Sequence, residues 1–177
     1  MLINPRRHGF TMIEMMISIS IVAILIALAV PSFKIMLANA QIRTAGQGLL
    51  DGMQLARVQA IRLNERVIFT KDTQSGWTVK VESALLVIVQ SRVFTEGSSA
   101  ALVTVTPSAA TQMTFDGLGR VKTNTDLSST LTQLDISVPI TLIAAADARP
   151  LRITTNSGGA IRLCDPNAPV GAGTACL

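Results

Sequence analysis

The chain has 177 residues, of which 49% are hydrophobic, 3% aromatic and 15% charged, with 15 basic residues against 11 acidic ones for a net charge of +4. That length bounds it to one modest core beside any anchor, and so small a charge excess excludes a broadly basic nucleic-acid protein. His8 is the sole histidine, which excludes a His-based triad in the body of the chain; no phosphate loop, dinucleotide fingerprint or metalloprotease motif occurs either, so no enzyme, cofactor or metal site is expected.

Met1 to Gly9 carry Arg6 and Arg7 ahead of an apolar run. From Phe10 to Ala29 there is no Gly or Pro, and Glu14 is the only charge. At a rise of ~1.5 Å per residue such a run crosses ~30 Å of hydrocarbon, so residues 10–30 are expected to be a transmembrane helix. Basic residues ahead of the span hold that end in the cytoplasm and send the rest of the chain outward. The residues alone leave two fates open, an uncleaved anchor or a removed signal. The run exceeds the roughly 7–15 residues of a secretory signal core, and Ala27-Leu28-Ala29-Val30-Pro31 is a poor cleavage context.

Glu14 is the anomaly of the span, because a carboxylate near the bilayer centre costs about 2.5–3.5 kcal/mol. On one reading it lies a single turn from the start and reaches the headgroups. On the other, cleavage after Gly9 makes Phe10 the new N-terminus and sets its α-ammonium one helical turn from Glu14, where helix neighbours meet. Pro31 removes a backbone donor and crowds the preceding turn, so a bend is expected there.

Beyond Pro31 the period stays helical. Ile42, Ala45, Leu49, Met53, Ala56, Ala60 and Leu63 form one apolar stripe, opposed by Gln41, Arg43, Gln47, Asp51, Gln54 and Arg62. One helix is therefore expected from Phe10 to about Leu63, with residues 31–63 as its amphipathic continuation. Gly46, Gly48 and Gly52 weaken that helix by up to ~1 kcal/mol each relative to alanine; they mark either a segment that loosens or one that admits close packing.

After Asn64 the period changes to two. Arg66–Lys71, Trp77–Glu82, Leu85–Phe94, Ala101–Thr106, Gln112–Phe115, Gly119–Lys122, Leu131–Val138, Leu151–Thr155 and Ala160–Cys164 read as short strands parted by turn residues. Short consecutive strands pair antiparallel, and Asn156-Ser157-Gly158-Gly159 is a hairpin turn. The sheet needs its apolar face covered, and the only long amphipathic helix is the second half of the first. The expected class is α+β: a long N-terminal helix, membrane-spanning in its first half, packed on an antiparallel β-sheet head over residues 64–177.

Cys164 and Cys176 fall in the last fourteen residues. Outside the cytoplasm a disulfide between them is the natural reading, with two free thiols as the alternative, and it would stabilise by about 3 kcal/mol in the chain-entropy account. Asp116 beside Gly117 and Gly119 reads as a turn residue that satisfies its own backbone.

Gly9-Phe10-Thr11-Met12-Ile13-Glu14, followed by the apolar run and Pro31, resembles the class III signal of type IV pilins and type II secretion pseudopilins. The resemblance implies that a prepilin peptidase cuts between Gly9 and Phe10 and methylates the Phe10 amine, removing residues 1–9 as a leader, and that Glu14 guides filament assembly. Pro31 matches the kink-forming proline of that family's first helix. Leu55 to Arg62 leading into Val67-Ile68-Phe69, the turn Phe115-Asp116-Gly117-Leu118-Gly119-Arg120, and Gly158 to Pro166 resemble segments of the GspH/FimT family. This second resemblance implies a minor pilin that helps initiate or cap a type IV pilus; the alternative is a GspH-type pseudopilin of the type II secretion system. The cysteine loop is more characteristic of pilins. The implied partners are other pilins or pseudopilins through the N-terminal helix, the peptidase and the bacterial inner membrane, with the head periplasmic before export into the filament.

Once a leader carrying Arg6 and Arg7 is gone, basic residues number 13 against 11 acidic. Arg149, Arg152 and Arg162, with Arg120 and Lys122, are then the one constellation suited to phosphate contact. Some FimT-like members are associated with DNA uptake through a Gly-Arg-x-Arg motif, so a DNA-binding pilin is a second alternative. Here the corresponding run is Gly159-Ala160-Ile161-Arg162, in which Ala160 stands where the first arginine would be.

Overall fold

A computed structural model describes residues 10–83 and 87–176. Helix α1 runs unbroken over Met12–Leu63, 52 residues or about 78 Å at the α-helical rise. Pro31 lies inside it: the helix continues through the lost donor, and the Ser32 hydroxyl donates to the Ala29 carbonyl at 3.0 Å. Asn64 ends α1 in the left-handed region, with φ of 52°.

Nine strands follow among the described residues: β1 (Val67–Lys71), β2 (Trp77–Val81), β3 (Ile88–Arg92), β4 (Leu102–Thr106), β5 (Gln112–Phe115), β6 (Val121–Lys122), β7 (Gln133–Ser137), β8 (Leu151–Thr155) and β9 (Ile161–Cys164). They form two sheets, ordered β3-β2-β1-β5-β6 and β4-β7-β8-β9, and every strand pairing is antiparallel. The chain leaves the first sheet after β3, lays down β4 as an edge of the second, and returns for β5. Part of the expected strand Leu85–Phe94 lies outside the described residues. Gly119 and Arg120 fall in a turn rather than in β6, because Asp116 draws the Leu118 and Arg120 N–H groups onto its carboxylate.

Alternation explains why both sheets face the helix. In the first, register sets Val79 beside Phe69 and Met113, and Val81 beside Val67 and Phe115; all six are buried. In the second, Val105, Leu134, Ile153 and Leu163 form one such row, and Val103, Ile136 and Leu151 another. Helix α1 packs on β1, β2 and β5 of one sheet and on β7, β8 and β9 of the other, so a single stripe closes both. Of the stripe expected from sequence, Ile42, Ala45, Leu49, Met53, Ala56 and Ala60 are buried. Leu63 is 41% exposed, because it lies at the helix end past the last strand it could cover.

The three helical glycines are close-packing positions. A Cβ on Gly52 would stand 2.6 Å from the Trp77 ring, one on Gly48 1.9 Å from Arg92 Nη1, and one on Gly46 3.1 Å from Leu151 Cδ1. At Gly52 sheet and helix approach to a distance that leaves no room for a side chain, whereas at Gly48 the obstacle is the tip of a flexible arginine and at Gly46 a leucine methyl.

Candidate functional site

The first half of α1 stands clear of the head. Ala38 is its first buried residue, and its most apolar stretch has a mean hydropathy of 2.6 with none of it covered by protein. Within it the hydroxyls are satisfied internally, Ser18 donating to the Glu14 carbonyl at 2.7 Å and Ser20 to Met16 at 2.8 Å. Such back-bonding removes the cost of a hydroxyl in lipid. Glu14 is then the one charged group from Met12 to Phe33.

Glu14 occupies the third helical position behind the N-cap Thr11. The Thr11 Oγ1 accepts from the Glu14 N–H at 3.3 Å, and Glu14 Oε2 accepts from the Thr11 N–H at 3.3 Å, a reciprocal capping box. Sequence reasoning missed this role, although Thr11-Met12-Ile13-Glu14 has the Thr-x-x-Glu spacing that signals it. Phe10 is exposed immediately before the cap, and Gly9 lies outside the described residues.

At the far end, the three segments singled out along the chain converge. Arg57 on α1 donates from Nε to the Gly119 carbonyl at 3.1 Å, binding the helix to the β5–β6 turn. A Cβ on Gly159, whose φ is +79°, would stand 1.9 Å from that same carbonyl, and the Val121 N–H donates to Ser157 at 3.1 Å. The β8–β9 hairpin of the second sheet is thus seated on the turn of the first, with the helix as third party. Asp116 builds the turn: its carboxylate accepts from the Leu118 and Arg120 N–H groups at 3.0 and 2.9 Å and pairs with Arg120 Nη2 at 3.1 Å. The Arg120 N–H, foremost among these contacts, holds the carboxyl below its ordinary range.

Cys164, the last residue of β9, is bonded to Cys176, closing a loop across 12 positions. Asp165 N–H donates to Thr174 at 2.8 Å inside it, and at its tip Val170 is fully exposed.

The candidate nucleic-acid residues are brought together only in part. Arg152 and Arg162 do lie on one outward face of adjacent strands, as the register of Arg152 with Cys164 and Thr154 with Arg162 requires. Arg152, however, is ion-paired through Nε to Asp135 on β7. Arg149 belongs to the loop before β8, where its N–H donates to Asn39 Oδ1 at 2.8 Å beside the helix. Among the described residues no group of three or more His, Cys, Asp or Glu could hold a metal ion.

An exposed apolar half-helix with a single acid in its cap, joined to a two-sheet head, is the architecture of a pilin-like subunit. Residues 4–30 match the prokaryotic N-terminal methylation motif, and residues 45–159 match the type II transport protein GspH. The chain belongs to the GspH family. Its fold is similar to that of the minor pseudopilin EpsH from the type 2 secretion system of Vibrio cholerae, with a TM-score of 0.50 and 15% identity over 73% of this chain and 99% of that one. The type IV minor pilin FimU of Pseudomonas aeruginosa (strain PAO1) is also similar, with a TM-score of 0.48 and 14% identity over 72% and 93%. No curated protein sequence is similar at a significant level. The function is that of a minor pilin or GspH-type pseudopilin. Assembly with other pilin-like subunits follows from the family, membrane anchoring from the apolar helix, and peptidase processing from the methylation motif.

Proposed function

We propose that the chain is a minor pilin of a type IV pilus, helping to initiate or cap the filament. It would be inserted with its N-terminus in the cytoplasm and its head in the periplasm, cut after Gly9, methylated at Phe10 and drawn into the pilus through α1. The observation that carries the pilus reading is the disulfide-closed loop Cys164–Cys176. That loop lies beyond residues 45–159, which match the family, and such a cysteine loop is more characteristic of pilins than of the GspH-type pseudopilin. In the filament, the Glu14 carboxylate would exchange its local bond to the Thr11 N–H for the Phe10 ammonium of its own or a neighbouring chain; in low dielectric that pairing is strongly favoured over two isolated charges.

Deleting the gene and measuring piliation and type II secretion in the same strain tests the reading. Lost or fewer pili with intact secretion is expected. Intact pili with lost secretion would favour the pseudopilin reading, which the family match supports. A DNA-uptake role is not adopted, because the Asp135 carboxylate neutralises Arg152, and Ala160 stands where the first arginine of the motif would be.

A further inference from the structure

Where α1 leaves its apolar stretch, the head carries a hollow of about 500 Å³ lined by Ser32, Ile35, Met36, Asn39 and Arg43 of the helix and by Ala146, Asp147 and Arg149 of the β7–β8 loop. A second hollow of about 300 Å³ adjoins it, sharing Asn39, Arg43 and Arg149 and adding Asp165. Asn39 fixes the loop against the helix from both ends of its amide: Nδ2 donates to the Asp147 carbonyl at 2.9 Å, and Oδ1 accepts from the Arg149 N–H at 2.8 Å. Arg43 and Arg149 are exposed, and neither enters an ion pair among the described residues. Asp147 is the one acidic group lining the first hollow, which therefore holds two cations against one carboxylate, and Asp165 faces the same two arginines from the second, so the positive excess belongs to the first hollow alone.

The height of this feature is set by helix geometry. Taking Val30 as the end of the span, Ser32 to Met36 stand about 3–9 Å beyond it, and a headgroup layer is about 5–8 Å deep on each side of the hydrocarbon. Ala146, lining the hollow with those residues, stands at the same level. Arg43 is rooted about 20 Å out, but helical side chains lean toward the N-terminus, and it lines the end of the same hollow farthest from Ser32, where a headgroup phosphate drawn out of the layer would meet it. The loop itself is unusually apolar for a surface segment. Ile143 is buried and anchors it, while Ile140 is 79% exposed and Leu142 43% exposed; Ala144, Ala145 and Ala146 are exposed as well. Lys34 adds a further exposed cation on the same stretch of helix.

We propose that this hollow binds the phosphate of an anionic phospholipid headgroup, so that before assembly the head rests on the bilayer with the 139–148 loop in the headgroup layer. The guanidiniums of Arg43 and Arg149 supply the charge, and the apolar loop supplies the contact with acyl boundary. The proposal rests on the reading that residues 10–30 span the membrane.

The test uses the full chain, reconstituted in vesicles of phosphatidylglycerol and phosphatidylcholine in equal parts or of phosphatidylcholine alone. A nitroxide label is placed through Ala145→Cys, with Ile24→Cys and Leu118→Cys as references; Cys164 and Cys176 are bonded to each other and take no label. The Ile24 label should sit in hydrocarbon and the Leu118 label in water. The Ala145 label should divide between headgroup depth and water, favouring headgroup depth in the anionic vesicles. Arg43→Gln and Arg149→Gln should each lower that ratio about fivefold, the equivalent of ~1 kcal/mol per cation at an anionic surface. An Ala145 label in water in both lipids, with Ile24 in hydrocarbon, would overturn the proposal and spare the span. An Ile24 label in water would overturn both. Protection of Ala145 that follows protein density rather than lipid charge would overturn it in favour of a second copy of the chain.

Discussion

Replacing Gly52 by alanine puts a methyl group 2.6 Å from Trp77 Cδ2 and 3.0 Å from Phe69 Cε2. Both rings are buried, with centroids 6.3 Å apart, so neither has room to yield. Overpacking a filled core costs about 1–3 kcal/mol, and alanine returns up to ~1 kcal/mol through helix propensity. The expected net loss is therefore about 1 kcal/mol and at most ~2. At Gly48 the approach is closer, 1.9 Å, but the obstacle is Arg92 Nη1 at the tip of a flexible side chain. That guanidinium can swing aside, giving up a 2.8 Å bond to the Glu96 carbonyl and a 3.7 Å ion pair with its carboxylate, together worth about 1 kcal/mol. Gain and loss nearly cancel, so Gly48→Ala should lie within ~0.5 kcal/mol of the parent. Urea unfolding of the detergent-solubilised chain measures both, with Trp77, the sole tryptophan, as a fluorescent reporter beside Gly52. Equal stabilisation by the two substitutions would refute the reasoning and mean that neither glycine is held by packing.

Joint replacement of Cys164 and Cys176 by serine opens a loop spanning 12 positions and should cost about 3 kcal/mol on the chain-entropy account; limited proteolysis should then cut beyond Asp165 while α1 stays intact, and unchanged protection would count against the loop's dependence on the bond. Glu14→Ala should leave the melting temperature of the head unchanged, since Ala38 is the first buried helix residue, yet sharply reduce recovery in sheared filaments; equal recovery would remove Glu14 from the assembly mechanism. The Asp116 carboxyl is depressed chiefly by the Arg120 N–H, and that of Asp126 by the Ser128 hydroxyl. A depressed folded-state value means their stabilisation is complete above the unfolded value near ~3.9 and is lost as pH falls through the lower folded value. Asp116→Asn should therefore flatten the acid limb of the stability profile below about pH 4 and leave its neutral region level with pH; an unaltered acid limb would contradict the assignment.

Local periodicity made the helix, its end at Asn64 and the positions of the strands legible, because each depends on neighbours within a few residues. The division into two sheets was not legible. It rests on β1 pairing with β5 and β4 with β7, contacts between distant segments that no turn signal specifies. The same holds for Gly159 seated on the Gly119 carbonyl, where sequence shows two hairpin turns but not that one rests on the other. The glycines of α1 were ambiguous for a related reason: an isolated helix records only their propensity cost, whereas the facing Trp77, Arg92 and Leu151 lie on strands far along the chain. Thr11 carries a local signal, the Thr-x-x-Glu box, but the membrane cost of a charge in an apolar run overshadows it as a reading of Glu14. The basic residues show the same limit: the register that puts Arg152 and Arg162 on one face and the carboxylate of Asp135 beside Arg152 are both visible only in the strand pairing.

The most direct measurement is mass spectrometry of the N-terminal peptide of this chain, taken from filaments sheared off the cell surface. A minor pilin processed at the methylation motif gives a peptide beginning at N-methylated Phe10, with the first nine residues gone, in the filament fraction. A filament-associated chain that still carried Met1 to Gly9, or a chain confined to the membrane while pili assembled normally, would contradict the account.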